Sequence, residues 1–166
     1  MPGLLGQRAG AGMSTTTAAI PKARTFPGSA GEIRNVRQFV GRCIEGCPVA
    51  DDVILLASEI ATNALRHTAS GLDGTFVVLV DAADGHVRVE VHDLGSDTAP
   101  AVCRSGSPEE SGAGLALVET VADRWGFHGS PFGRVVWFEM DWPPDPALPA
   151  RTPLTSVLPA GKERYP

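Results

Sequence analysis

The sequence predicts an α+β fold, a two-layer sandwich in which about three helices cover one face of a mixed, mostly antiparallel sheet of about four or five strands. Three observations carry this. His86-Val-Arg-Val-Glu-Val-His-Asp93 alternates strictly and faces the β-prone run Thr75 to Asp81 across Asp84-Gly85, a hairpin turn signal. Two stretches of helical period precede that hairpin. A second pair of strand-like segments, Trp125 to Gly129 and Arg134 to Asp141, follows across Gly129-Ser-Pro-Phe-Gly133.

The chain of 166 residues suits one domain with tails, and 43% apolar with 20% charged residues is ordinary globular composition. No apolar run approaches the roughly 20 residues that span a bilayer. A net charge of −5, with the 14 basic residues scattered singly, disfavours direct nucleic-acid binding. Three cysteines do not make a disulfide framework, and no basic segment followed by an apolar core opens the chain, so a cytoplasmic location is expected. Cys43 and Cys47 lack a second pair at zinc spacing and read as free, partly buried thiols.

Residues 1–19 are small, Gly-rich and Thr-rich without period and read as a disordered arm; residues 20–142 form the domain. Ile20 to Phe26 is a candidate strand closed by Pro27-Gly28. A helix then opens at Ser29 or Ala30, where Ile33, Val36, Val40 and Ile44 make an apolar stripe that stops at Gly46 and Pro48. Val53 to Thr68 is a long helix, with Asp51 and Asp52 where a cap and an acidic first turn belong. In the sheet, Val87, Val89 and Val91 point to the covered side and His86, Arg88, Glu90 and His92 to the other. Leu115 to Asp123 reads as a third helix, and residues 143–166, rich in proline, as a flexible tail.

Chemistry concentrates in three places. On the long helix Glu59, Asn63 and His67 stand at i, i+4 and i+8 and share one side. An amide oxygen there can bind a hard cation and a carboxylate can accept a proton, although polar residues at this spacing also form ordinary solvated faces. The alternating strand ends at Asp93-Leu-Gly95. A segment from Thr98 to Ser111 without apolar period, longer than a passive connector needs, then ends in Ser111-Gly-Ala-Gly114 at the start of a helix. Glycines running into a helix N-terminus favour an anion, since free N–H groups and the positive dipole end meet no Cβ. The spacing is neither the phosphate-loop nor the dinucleotide pattern.

In that order the three elements resemble the ATP-binding domain of the GHKL superfamily, with its Bergerat-type fold, shared by gyrase, histidine kinases and heat-shock chaperones. Ser58-Glu-Ile-Ala-Thr-Asn-Ala-Leu-Arg-His67 and Gly114-Leu-Ala-Leu-Val-Glu-Thr-Val-Ala-Asp-Arg-Trp125 are most similar to the small anti-sigma factor serine/threonine kinases of actinomycetes. The resemblance implies ATP and Mg2+ as ligands. It gives Asn63 the metal ion, Glu59 the role of general base, and Asp93 and Gly95 the adenine. Gly112 and Gly114 become the hinge of a phosphate-covering lid, and Leu115 opens the helix whose end faces the triphosphate. The implied partner is a STAS-type anti-sigma antagonist, a sigma factor, or both, and the resemblance also implies pairing into a homodimer. His67 closes the helix motif and receives no catalytic role.

One position departs from that pattern. Families of this type carry Asp-x-Gly-x-Gly after the strand, and here the last position is Asp97, an acid near an anionic ligand. Three readings follow: a protein kinase that phosphorylates the antagonist, a binding module that uses ATP as a structural ligand, and a protein-binding scaffold that has lost nucleotide.

Overall fold

The valines of the alternating strand decide which side of the sheet is covered. In the computed structural model, which describes residues 20–83, 85–95, 113–130 and 132–143, Val87, Val89 and Val91 are fully buried. Five strands form one antiparallel sheet: β1 (Lys22–Pro27), β2 (Thr75–Ala83), β3 (His86–Asp93), β4 (Arg124–Ser130) and β5 (Gly133–Asp141). Their spatial order is β1-β2-β3-β5-β4. The last strand therefore returns between β3 and β4, placing Arg134 opposite Asp93 and Phe138 opposite Val89.

Three helices cover the valine side: α1 (Glu32–Cys43), α2 (Ala50–His67) and α3 (Ala113–Val121). The α1 stripe behaves as its spacing predicts, with Val36, Val40 and Ile44 buried and Ile33 packed at the margin. On α2 the core face is Val53, Leu56, Ala57, Ile60, Ala61 and Ala64. Leu65 is packed at its edge, whereas Leu55 is 38% exposed and lies on the polar side, one turn before Glu59. Asp51 and Asp52 do not cap α2. Val49 is the N-cap residue, without a side-chain cap bond, and the two acids lie in the first turn, where they favour the positive end of the dipole.

At the β1 end of the core Phe26 stacks on Phe76, with centroids 5.5 Å apart, and meets the edge of Phe39 from α1. Cys43 and Cys47 are free, half-buried thiols, and burial pushes both above the usual thiol pKa. No helix among the described residues is long and apolar enough to cross a membrane.

The other side of the sheet is held by charge. Arg88 lies over the Trp137 ring at 4.1 Å and donates to both Glu90 and Glu139, while Arg124 reaches Glu139 and Asp141 from the edge strand. The expectation that Arg88 points to the uncovered side holds, but its neighbours bury it to 9% exposure. The hydrogen bond from His92, opposed by burial and reinforced by Arg88, pulls Glu90 down from its ordinary value near 4.5 to about 2. A carboxylate depressed on folding stabilises the protein above its unfolded pKa, and that contribution is lost as pH falls toward the folded value. Thermal melts between pH 5 and about 2 are expected to show stability falling through this window, less steeply in Glu90→Gln than in the unsubstituted protein.

Candidate functional site

Strand phase puts two charged residues on the covered side, where apolar groups are expected. Asp93 follows Val87, Val89 and Val91 in step, and Arg134 precedes Val136, Phe138 and Met140 in step. Both therefore point toward the helices at the end of the sheet next to the C-terminus of α2. The Asp93 side chain is completely buried and that of Arg134 is 8% exposed; Arg134 Nε donates to Asp93 Oδ2 at 3.2 Å.

The segment after β3 completes the carboxylate's surroundings. Gly95 N donates to Asp93 Oδ1 at 2.8 Å, closing a turn in which Gly95 adopts φ 80°, a conformation that favours glycine. A one-turn 3-10 helix, Ala69–Gly71, packs against this turn. Ala69 N donates to Gly95 O, and the fully buried Ser70 accepts from Leu94 N through Oγ at 2.9 Å. Burial raises the Asp93 pKa above the ordinary carboxylate range, and the Arg134 charge and the Gly95 N–H only partly offset it.

Along α2 the i, i+4, i+8 set is a half-buried edge, not a solvated face. Glu59, Asn63 and His67 are each of intermediate exposure, and Asn63 Nδ2 and His67 Nε2 are buried without a protein partner among the described residues. Burial, then the charges of Arg134 and Arg66, lower the His67 pKa, so its imidazole is favoured in the neutral form. From Glu59 to His67 the edge runs about 12 Å at the helical rise. Arg134 links its far end electrostatically to Asp93.

The first turn of α3 closes the near end. A Cβ added to Gly114 would lie 2.6 Å from Glu59 Oε2 and 3.6 Å from Asn63 Nδ2. Any larger residue would force the carboxylate aside, so glycine here lets the start of α3 lie directly against both polar groups. Leu115, next in the chain, is 2% exposed and belongs to the core. Its side chain anchors α3. Gly112, Asp97 and the segment from Thr98 to Ser111 lie outside the described residues.

The observation that bears on a metal ion is the buried Asn63 amide without a partner among the described residues. No cluster of three or more His, Cys, Asp or Glu side chains able to hold a metal occurs among the described residues. An ion here would rest on the Asn63 amide, with its oxygen turned to the side where Nδ2 lacks a partner, and on ligand oxygens and water, as magnesium commonly does.

Two residues of this site, Ser70 and Arg134, are not singled out by the sequence. Ser70 lies in what reads as a loop. Arg134 follows a hairpin glycine, where an arginine is ordinarily solvated; its phase with Val136, Phe138 and Met140 is the signal that locates it.

A family model described as a histidine kinase-like ATPase domain matches residues 26–140. The chain is also 33% identical over 106 residues, which make up 63% of its length and 99% of the relative's, to an uncharacterised protein of Streptomyces coelicolor.

The Ser70 contact is testable in isolation. Ser70→Ala leaves the Leu94 N–H without its partner, and chemical denaturation is expected to show a loss of about 1–3 kcal/mol.

Proposed function

Since the chain belongs to the histidine kinase-like ATPase family, whose model covers residues 26–140, we propose that it is a regulatory serine/threonine kinase. In this reading it binds ATP with Mg2+ and transfers the γ-phosphoryl to a seryl or threonyl hydroxyl of a STAS-type anti-sigma antagonist in the cytoplasm. The single observation that carries the reading is the packing of Gly114 against Glu59 and Asn63, with the buried Asn63 amide short of a partner. That contact joins a helix start suited to phosphate to a carboxylate and an amide, the groups that phosphoryl transfer requires.

Each residue then has a task. Asp93 accepts from the exocyclic amine of adenine, while Gly95, in its left-handed conformation, lets the ring approach the backbone. Asn63 holds the magnesium ion, which when bound neutralises charge on the phosphates. The backbone N–H groups of Gly114 and Leu115, at the start of α3, would meet the phosphate oxygens, and Gly112 keeps the lid-hinge role that the resemblance gives it. Glu59 takes the proton of the attacking hydroxyl as its oxygen bonds to the γ-phosphorus and ADP leaves. His67 lines the same edge and takes no part in proton transfer in this scheme.

The choice of a STAS-type antagonist rests on the likeness of the two helix motifs to anti-sigma kinases, and pairing of two copies belongs to the same proposal. A second reading is favoured by one feature. Asp97, where a glycine is usual, places an acid near an anionic ligand and suits a protein-binding module that has lost nucleotide.

Glu59 separates the two. With radiolabelled ATP and a STAS-domain acceptor, Glu59→Ala is expected to lower transfer by 100-fold or more, general base catalysis contributing about 10²–10⁴. Its nucleotide affinity should stay within a few-fold of the parent. Absence of transfer from the parent protein, with partner binding retained, would favour the protein-binding module.

A further inference from the structure

The ion pair between Asp93 and Arg134 is built into the covered side of the sheet, at adjacent positions of β3 and β5, with both side chains withdrawn from water. A buried carboxylate needs a compensating partner to stay ionised, and a neutral donor is the ordinary one; here the partner is a full positive charge. The arginine therefore needs its own account. Its donor lies on Oδ2 while the Gly95 N–H lies on Oδ1, so each oxygen is fixed from one side and keeps a second lone-pair direction.

We propose that Arg134 is the positioning residue of the base subsite: its guanidinium fixes the orientation of the Asp93 carboxylate and supplies the positive charge beside it. The carboxylate then accepts from the exocyclic amine of a purine and disfavours a purine that presents a carbonyl there. This rests on the nucleotide reading above and adds to it the residue that sets base selectivity and its pH range.

Among the described residues two charged or titratable groups act directly on Asp93. Arg134 approaches from β5 and His92 is its neighbour on β3; from α2, His67 feels the same guanidinium and the exposed Arg66. Burial favours the neutral carboxylic acid, and Arg134 opposes it with charge and a hydrogen bond. The sign follows. Without the positive charge Asp93 protonates at higher pH, so the anion that accepts from the amine is lost earlier as pH falls.

Two substitutions separate charge from geometry. Arg134→Gln keeps an N–H donor and removes the charge; Arg134→Lys keeps the charge and loses the planar fork. Calorimetric titration of Mg-ATP and of Mg-inosine triphosphate, from pH 5 to pH 9, gives an affinity ratio in which titration of the shared triphosphate cancels. In the parent protein the ratio favours ATP and declines toward low pH. Arg134→Gln is expected to move the midpoint of that decline to higher pH and to lower the ratio about tenfold at pH 6, the range of one charge-assisted hydrogen bond. Arg134→Lys should keep the midpoint and lower the ratio at every pH.

A purely structural arginine would lower the melting temperature of both variants and leave midpoint and ratio unmoved, which would overturn the proposal. Should Arg134→Gln fail to fold, Arg134→Lys decides, since a ratio equal to that of the parent contradicts the positioning role. A parent protein that binds neither nucleotide at millimolar concentration overturns the nucleotide reading, and this one with it. Binding with an unmoved midpoint and ratio overturns the role of Arg134 alone.

Discussion

The close approach of the first turn of α3 to the polar edge of α2 is the constraint on which the candidate site depends. One face of α2 is committed to the core by Leu56, Ile60 and Ala64, which fixes the direction in which Glu59, Asn63 and His67 point. Leu115 and Val118 hold α3 against the same core. With both helices anchored in this way, a Cβ at position 114 would displace the Glu59 carboxylate, and glycine lets Glu59 and Asn63 lie at a helix start. Packing thus places a carboxylate, an amide and the start of a helix together.

The opposite end of the site is organised by hydrogen bonds. Asp93 is buried by the same strand phase that buries three valines, and a carboxylate in that position needs partners. Arg134, the Gly95 N–H and the 3-10 turn at Ser70 provide them or hold them in place. Because β5 lies directly beside β3, the arginine and the aspartate meet only if the final strand inserts between β3 and β4. The sheet order is therefore a condition of the site's electrostatics.

Much of this is legible in the residues. The alternation of Val87, Val89 and Val91 marks the covered side and carries Asp93 onto it, and the i, i+4, i+8 spacing gathers Glu59, Asn63 and His67. The strand order is not legible, because alternation reports which side a residue faces and not which strand is its neighbour. Arg134 is hidden for that reason: its partner is 41 residues away. Leu115 illustrates another limit. The resemblance places it at the ligand end of α3, and the apolar period of that helix sends its side chain into the core, which the motif alone does not reveal. Asp51 and Asp52 favour the helix dipole from within the first turn, a role that an acidic pair before a helix cannot be distinguished from capping until backbone geometry is known.

In the proposed function the edge of α2 and the start of α3 form one magnesium-dependent nucleotide site. Calorimetric titration of ATP into the full chain, with magnesium and with a chelator, and into Asn63→Ala, tests it most directly. The account predicts saturable binding that needs magnesium and weakens at least tenfold in Asn63→Ala, while the melting temperature of the substituted protein stays near that of the parent. Absence of heat and of thermal stabilisation at millimolar Mg-ATP would contradict it, since a ligand that binds the folded state must stabilise it.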